Sequence, residues 1–274
     1  MRIQANAKLN LFLNITEQLS NGYHNLEMIT VPLTLFDTIN IEDADVDSII
    51  YDREIDNDVL YKTVQLVKTT FKIKKSVKIK VSKQIPVGGG LGGGSADIAA
   101  VLRGLVQFWN IKTDDNKLME LGKSLGSDVP ICLFNKTAKV SGTGDQIIPL
   151  PEFKAHVLLV VPSNGISTTS AFKLLKEYEL KRVDSTRLLI GIMKNDVDEV
   201  AKHLHNDFIP IASVLDSSTR QALRSFKELN PTASMTGSGS TLFGIYSDEG
   251  KLRKDQEALN KQGLHTQYCQ ILTS

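Results

Sequence analysis

The segment of this 274-residue chain best suited to chemistry is a glycine-rich run in its first half. Six of the seven residues from Gly88 to Gly94 are glycine, with Leu91 between them. Each ordered glycine costs about 0.5–1 kcal/mol more backbone entropy than alanine. Such a run is typical of a backbone that must approach an anion closely, and the helix predicted after it adds a positive N-terminus. The run therefore predicts a polyphosphate site, with a flexible linker as the alternative.

Two familiar phosphate motifs do not fit this run. A P-loop ends in Gly-Lys-Ser/Thr, whereas Gly94-Ser95-Ala96 contains no lysine. A dinucleotide fingerprint needs an acidic residue about 20 positions later within a βαβ unit. The acidic residues at that distance, Asp114 and Asp115, lie in polar, loop-like sequence. The run therefore indicates a different class of phosphate loop.

Asp128 is the candidate catalytic base. Phosphoryl transfer to a hydroxyl needs a phosphate cradle, charge neutralisation and a group that accepts or orients the hydroxyl proton. Asp128 lies in the segment Gly126–Pro130, directly before the apolar residues 131–134. Burial there would raise the pKa of its carboxyl, and a nearby cation would lower it. A helix N-cap or a turn carboxylate is the alternative role.

Metal and disulfide chemistry have little support in the sequence. His203 and His205 are two residues apart, so they would face different sides of a helix, and the five histidines form no zinc pattern. No Asp/Glu pair has metal-ligand spacing, so we predict no protein metal ligand. Cys132 and Cys269 cannot form a disulfide framework, which favours a reducing, cytoplasmic location.

The composition narrows the partners of the chain. It is 41% hydrophobic and 23% charged, as is usual for a globular protein. With Lys+Arg 32 and Asp+Glu 31 the net charge is +1, so no basic field for nucleic acid is predicted. No apolar run approaches the ~20 residues of a membrane span, and the N-terminus lacks the apolar core of a secretory signal. We therefore expect neither nucleic acid nor a membrane as partner.

Hydrophobic periodicity predicts the elements that position these residues. The expected strands cover residues 9–15, 26–41 (with an edge or bend at Pro32), 77–81, 157–161, 241–246 and 267–272. The expected helices cover residues 59–71, 115–125, 170–178, 197–205 and 217–229. We expect a turn at Asn21-Gly22 and an acidic loop over residues 43–58.

The helix after the glycine run is expected to start at Ser95 as its N-cap. Asp97 would then lie in the first turn, where its charge suits the helix dipole. Arg103 and Gln107 would face away from the apolar stripe. Because strands and helices mix without regular βαβ alternation, the fold class is α+β. A boundary at Pro149–Pro151 predicts two domains, residues 1–150 and 151–274.

The motifs resemble those of the GHMP kinases, a family named for galactokinase, homoserine kinase, mevalonate kinase and phosphomevalonate kinase. The run from Pro86 to Ser95 is similar to the phosphate loop of that family. Three other features match in the right order: Ala7–Leu11 with Gly22-Tyr23-His24, then Gly126–Pro130, then Met235–Ser240. The resemblance covers nearly the whole chain. It implies a two-domain kinase fold that transfers a phosphoryl group from ATP, with Mg²⁺, to the hydroxyl of a small alcohol.

The resemblance also implies roles for individual residues. Lys8 would lie beside Asp128 at the acceptor oxygen, and Asn10 would contact the acceptor. Tyr23 and His24 would read a cytosine. The resemblance further implies an acceptor that carries a cytidine diphosphate group and belongs to isoprenoid precursor synthesis. The predicted nucleotide-binding residues are Pro86, Gly88, Gly89, Gly90, Gly92, Gly93, Gly94, Ser95 and Asp58.

Other substrate contacts have an alternative structural role. Phe172 is a candidate second stacking face for the base, or a helix core residue. Gly237, Ser238 and Gly239 are expected to approach the substrate with backbone N–H groups, or to form an ordinary β-turn. Thr30 stands where the family pattern has an aromatic residue, about seven positions after Tyr23.

Two other functions stay open at this point. One is a kinase of the same fold that acts on another alcohol, homoserine or a mevalonate-like compound. The other is a nucleotide-binding regulator without catalysis, against which the presence of Lys8 and Asp128 argues. The oligomeric state is expected to be a monomer or a homodimer.

Overall fold

The computed structural model describes residues 1–18, 24–55, 59–179 and 182–273, which form two compact units. Unit 1 contains Met1–Lys8, Leu35–Ile85 and Gly92–Asn135. Unit 2 contains Leu9–Thr34, Pro86–Leu91 and Lys136–Ser274. Each unit is built from separate stretches of the chain, and the predicted division into domains 1–150 and 151–274 stays a prediction.

The elements alternate irregularly along the chain. The strands are β1 (Arg2–Gln18), β2 (His24–Ala44), β3 (Ser48–Tyr51), β4 (Ser76–Ser82), β5 (Ala138–Gly142), β6 (Gln146–Pro149), β7 (His156–Val160), β8 (His205–Asn206), β9 (Ser234–Met235), β10 (Leu242–Tyr246) and β11 (Thr266–Gln270). The helices are α1 (Val59–Phe71), α2 (Gly93–Phe108), α3 (Asp115–Leu125), α4 (Val129–Phe134), α5 (Thr168–Leu175), α6 (Thr186–Lys194), α7 (Val197–Lys202), α8 (Ile209–Leu215), α9 (Ser217–Leu229) and α10 (Glu249–Lys261).

Unit 1 packs helices against a sheet that contains β3, β4 and the ends of β2 and β1. β2 and β4 are antiparallel, with Thr38 opposite Ser82 and Ala44 opposite Ser76, and β3 runs parallel to β4. Helix α2 contacts α1, α3 and α4. A Cβ added at Gly104 would lie 2.3 Å from Ile3 Cδ1, so α2 approaches β1 closely. The glycine run therefore leads into a buried, well-supported helix.

Unit 2 contains a second sheet of order β11-β7-β10-β9. β10 is antiparallel to both neighbours, with Leu242 opposite Val160 of β7 and opposite Met235 of β9. In the same unit β2 pairs with β5 over residues 26–30, and β1 pairs with β8. Pro32 lies just beyond the β5 pairing, and its carbonyl accepts a bond from Leu272 N at 2.9 Å. β2 continues through Pro32, at a point where pairing with β5 has ended.

The α+β class and several elements agree with the sequence prediction. Helices over 59–71, 115–125 and 217–229 have the predicted bounds. The predicted acidic loop over 43–58 is wrong in part, because β2 extends to Ala44 and β3 occupies Ser48–Tyr51. The helix predicted to reach residue 205 ends at Lys202, since His205 pairs with Phe12 in β8.

Two details of the helix after the glycine run were predicted wrongly. The N-cap position belongs to Gly92, with φ +70°, and Ser95 lies inside the first turn. Arg103 does not point into solvent, because its guanidinium donates to the carbonyls of Cys132 and Leu133. The turn predicted at Asn21-Gly22 lies outside the described residues. No helix within the described ranges is long and apolar enough to cross a membrane.

Candidate active site

Unit 1 brings the predicted catalytic pair together. Lys8 on β1 and Asp128, just before α4, approach with Lys8 Nζ 3.4 Å from Asp128 Oδ2. The Lys8 side chain is 8% exposed and the Asp128 side chain 33%. A buried ammonium beside a partly open carboxylate leaves the carboxylate accessible to a substrate hydroxyl, which suits proton handling.

Gly92, the first residue of the glycine run that belongs to unit 1, leaves space for the Lys8 side chain. Gly92 has φ +70°, and a Cβ there would lie 2.8 Å from Lys8 Cγ. The lysine stem therefore passes directly over Gly92, at the N-terminus of α2. The first N–H groups of a helix have no partner within it, so they attract anions. Unit 1 thus places an ammonium, a carboxylate and a helix N-terminus in one small region.

Asp128 occupies the N-cap position of α4, but its side chain caps nothing there. The alternative role, a helix-capping carboxylate, is therefore not what the side chain does in this structure. The far end of α4 is anchored by Arg103 of α2, which donates to Cys132 O at 3.1 Å and Leu133 O at 3.0 Å. This anchor fixes α4, and with it Asp128, against the phosphate-loop helix.

Unit 2 contains the earlier part of the glycine run, and this part packs on the Thr236–Ser240 loop. A Cβ at Gly90 would lie 2.3 Å from Thr236 O, and one at Gly237 would lie 2.8 Å from Gly90 O. Thr241 N donates to Gly89 O at 3.2 Å. The two glycine-rich segments therefore touch backbone to backbone, which side chains at these positions would prevent.

Thr236 links this contact to β1. Its buried hydroxyl accepts a bond from Asn10 N at 3.0 Å and lies 3.4 Å from Gly90 O. The side-chain amide of Asn10 donates in turn from Nδ2 to Thr30 Oγ1 at 3.0 Å. Thr30, which stands where the family pattern has an aromatic, thus orients the predicted acceptor-contacting residue.

Replacing Thr236 by valine should therefore weaken both fold and activity. Valine keeps the volume but leaves the buried Asn10 N–H without its acceptor, which costs about 1–3 kcal/mol. Denaturant unfolding should show this loss, and kcat/KM should fall about tenfold as the loops separate. Thr236→Ser retains the hydroxyl and should stay near wild type. Equal effects of the two substitutions would contradict the role of the hydroxyl.

His24 and Phe172 form an aromatic pair in unit 2. Their ring centroids are 5.1 Å apart, and Phe172 also makes a T-shaped contact with Phe208 at 4.9 Å. Burial, and next the charge of Lys176, lower the pKa of His24, so its imidazole is neutral near pH 7. A neutral imidazole both donates and accepts, as reading the edge of a base requires. Phe172 is half-buried, so it has both a core contact and an exposed face.

Other predicted site residues lie as follows. Gly93 and Gly94 open α2, and Ser95 follows in its first turn. Ser238 Oγ lies 3.0 Å from Thr168 Oγ1, and the Gly239–Ser240 peptide bond is cis. The two predicted residues Tyr23 and Asp58 lie outside the described residues.

The sequence analysis missed several residues that support the site. Asn206 donates to Met235 O at 2.7 Å and Gly237 O at 2.9 Å, which fixes the second glycine loop. Nothing in the local sequence signals this contact, because it joins segments about 30 residues apart. Lys83 forms a buried cluster with Asp37 and Asp97. A lysine shortly before the glycine run was a visible signal for that cluster.

Two family models match the chain. The GHMP kinases N terminal domain matches residues 58–136, and the GHMP kinases C terminal domain matches residues 188–265. The first match contains the whole glycine run, Gly88 to Gly94, together with Asp128. The class that fold and site define is a small-molecule kinase of the GHMP type.

Curated relatives narrow the class. A 4-diphosphocytidyl-2-C-methyl-D-erythritol kinase of Clostridium tetani is 36% identical, covering 95% of this chain and 98% of that protein. The kinase of the same name from Caldicellulosiruptor saccharolyticus is 32% identical, covering 91% of this chain and 89% of the relative. The chain belongs to the 4-diphosphocytidyl-2-C-methyl-D-erythritol kinase family.

Solved structures agree at the level of the fold. A crystal structure of 4-(cytidine 5'-diphospho)-2C-methyl-D-erythritol kinase matches with a TM-score of 0.81 at 23% identity, with full coverage of both chains. Homoserine kinase from Cytophaga hutchinsonii matches with a TM-score of 0.74 at 15% identity, covering 100% of this chain and 94% of that one. Because both sequence identities are low, these structural matches establish the fold and do not identify the acceptor alcohol.

Proposed function

We propose that this protein transfers the γ-phosphoryl group of ATP to the 2-hydroxyl of 4-diphosphocytidyl-2-C-methyl-D-erythritol, a step of non-mevalonate isoprenoid precursor synthesis. The observation that carries the proposal is the pair of Lys8 and Asp128 beside the N-terminus of α2. The acceptor is supported by relatives of that name, which match nearly the full chain.

In this proposal Asp128 accepts or orients the proton of the attacking hydroxyl. Lys8, whose ammonium lies 3.4 Å from that carboxylate, orients the carboxylate and stabilises the developing charge on the acceptor oxygen. The N–H groups at the start of α2 bind the phosphates. Phosphoryl transfer relies on positioning and charge stabilisation, and these groups supply both.

The phosphates of ATP are expected to bring Mg²⁺. Among the described residues, no group of three His, Cys, Asp or Glu side chains could hold a metal ion. We assign the Ser95 hydroxyl, in the first turn of α2, to orient the phosphates or the ion. When bound, the ion would neutralise charge on the β- and γ-phosphates.

The cytidine end of the acceptor is assigned to His24, Phe172 and Tyr23. The neutral imidazole of His24 suits hydrogen bonding to the base edge, and the exposed face of Phe172 suits stacking. Asn10, oriented by Thr30, is assigned to the acceptor alcohol, and Gly237–Gly239 to the substrate diphosphate. A cytoplasmic location and a monomeric or homodimeric state stay predictions.

The stacking role predicts a selective effect of Phe172→Ala. Loss of base stacking, worth about 1–3 kcal/mol, should raise KM for the cytidyl substrate by about 5- to 150-fold. The KM for ATP and kcat should change little, as steady-state kinetics with each substrate varied will show. Phe172→Tyr keeps the ring and serves as the control. A lower melting temperature with an unchanged KM would instead leave Phe172 as a core residue.

The proposed acceptor is tested by a panel of alcohols. The purified protein with ATP and Mg²⁺ is incubated with the cytidyl alcohol, homoserine or mevalonate, and ADP is measured. We expect ADP formation that depends on the cytidyl alcohol. ADP formed only with another alcohol would show that this alcohol is the acceptor and that the proposed one is wrong. Nucleotide binding without any turnover would indicate a regulator.

A further inference from the structure

The glycine run needs a support that its own residues do not provide. Glycines lose the most backbone freedom on ordering, so a loop rich in them is fixed only when its two ends are held. The end that enters the run is Lys83–Ile85, and the end that leaves it is the start of α2. Both ends belong to unit 1.

Asp37 of β2 holds the entering end. Its Oδ1 accepts bonds from Gln84 N at 2.5 Å and Ile85 N at 2.8 Å. Its Oδ2 accepts a bond from Lys83 Nζ. The Asp37 side chain is fully buried, so these bonds are shielded from water.

Lys83 links the entering end of the run to the start of α2, where the run ends. Its ammonium donates to Asp97 Oδ2 of α2 at 2.6 Å, and its side chain is only 4% exposed. A Cβ added at Gly93 would lie 3.5 Å from Lys83 Nζ and 3.0 Å from Ile85 Cγ2. The ammonium therefore lies directly beneath the first residue of the phosphate-loop helix.

Burying the three charged side chains of this cluster is energetically unfavourable, so the cluster is a poor source of stability. Two buried carboxylates share one ammonium, and Asp97 Oδ1 has no hydrogen-bond partner. Burial raises the pKa of Asp97 to about 7, against the opposing effect of Lys83. Buried ion clusters of this kind are often no more stable than apolar replacements. Stability alone therefore gives little reason for an acid at residue 97.

We propose that Asp37, Lys83 and Asp97 are positioning residues that clamp both ends of the glycine run, so that the N–H groups opening α2 are in place for the triphosphate of ATP. The inference rests on the proposed kinase function but concerns residues that touch neither substrate nor the reacting atoms. The clamp acts on nucleotide binding, because it sets the position of the phosphate site and not of Asp128.

The test releases the clamp at Asp97 while leaving the Lys83–Asp37 pair intact. Binding of a non-hydrolysable ATP analogue with Mg²⁺ is measured by calorimetry, alongside KM for ATP and kcat. For Asp97→Ala we expect affinity about tenfold weaker and a matching rise in KM, because a small displacement of the binding groups is costly. We expect kcat to stay within about threefold, since Lys8 is held on β1 and Asp128 is held through the Arg103 contacts of α4. Asp97→Asn retains an oxygen for Lys83 and should recover most of the affinity.

Asp47 provides a matched control in the same unit. Its carboxylate is 8% exposed and accepts bonds from Lys68 Nζ at 2.5 Å, Gln65 Nε2 at 3.0 Å and Val77 N at 2.9 Å. Val77 lies at the other end of β4 from Lys83. Asp47→Ala should lower the melting temperature but leave the affinity for the analogue unchanged.

Either of two results would overturn the clamp. One is wild-type affinity for the analogue in Asp97→Ala, whatever its melting temperature. The other is equal losses of affinity in Asp97→Ala and Asp47→Ala. Failure of the proposed function gives a different signature, since the wild-type protein would then bind the analogue without phosphorylating the cytidyl alcohol.

Discussion

Asp128→Ala is expected to lower kcat by about 10²–10⁴-fold while ATP binding stays largely intact. The substitution removes the carboxylate that lies 3.4 Å from Lys8 Nζ and leaves the glycine run untouched. The side chain is one-third exposed and does not cap α4, so its loss should cost little stability. Single-turnover kinetics and equilibrium binding of an ATP analogue separate the two effects.

The isosteric Asp128→Asn distinguishes charge from shape. If the carboxylate acts on the hydroxyl proton, asparagine should be nearly as slow as alanine, because it cannot accept that proton. Asp115→Asn, an exposed acid in the first turn of α3, is the control and should retain wild-type turnover. An Asp128→Ala enzyme with an unchanged rate would remove Asp128 from the mechanism.

Gly92→Ala is expected to lower kcat by about 10²-fold, because a small displacement of the Lys8 ammonium from its position beside Asp128 is costly for catalysis. A Cβ at this position would lie 2.8 Å from Lys8 Cγ and 3.1 Å from Lys8 Cε. The lysine stem must move, and the distance from its ammonium to Asp128 changes with it. The left-handed backbone, with φ +70°, adds a strain of about 1–2 kcal/mol.

Gly263→Ala separates strain from displacement. Gly263 has φ +79° and open space around an added Cβ, so this variant carries the backbone strain alone. Chemical denaturation should show comparable losses of stability in the two variants, and only Gly92→Ala should lose turnover. A Gly92→Ala enzyme as active as Gly263→Ala would show that the position of Lys8 over Gly92 does not matter for catalysis.

Local chemistry made much of this structure predictable. Helices α1, α3 and α9 have the predicted bounds, and α1 and α9 each bury one continuous stripe. The glycine run was interpretable as a phosphate site because few other purposes justify its entropy cost. Asp128 was singled out by the resemblance of Gly126–Pro130 to the family's catalytic segment, because an aspartate before an apolar turn is not distinctive by itself.

Long-range contacts were not predictable in the same way. The N-terminus of α2 is set by Gly92 over the Lys8 stem, a contact between residues far apart in sequence, so local capping rules pointed to Ser95 instead. Likewise Asp97 appeared to serve the helix dipole, whereas its carboxylate is bound by Lys83. Such pairings depend on how β1, β4 and α2 pack, and the local sequence pattern does not predict that packing.

The central claim is that this chain moves the terminal phosphoryl group of ATP onto an alcohol. The most direct test follows γ-labelled ATP incubated with the cytidyl alcohol and either the wild-type protein or Asp128→Ala. The account predicts that the label appears in the cytidyl product, in proportion to ADP, with the wild-type protein only. Label recovered as inorganic phosphate, or left in ATP, would contradict it.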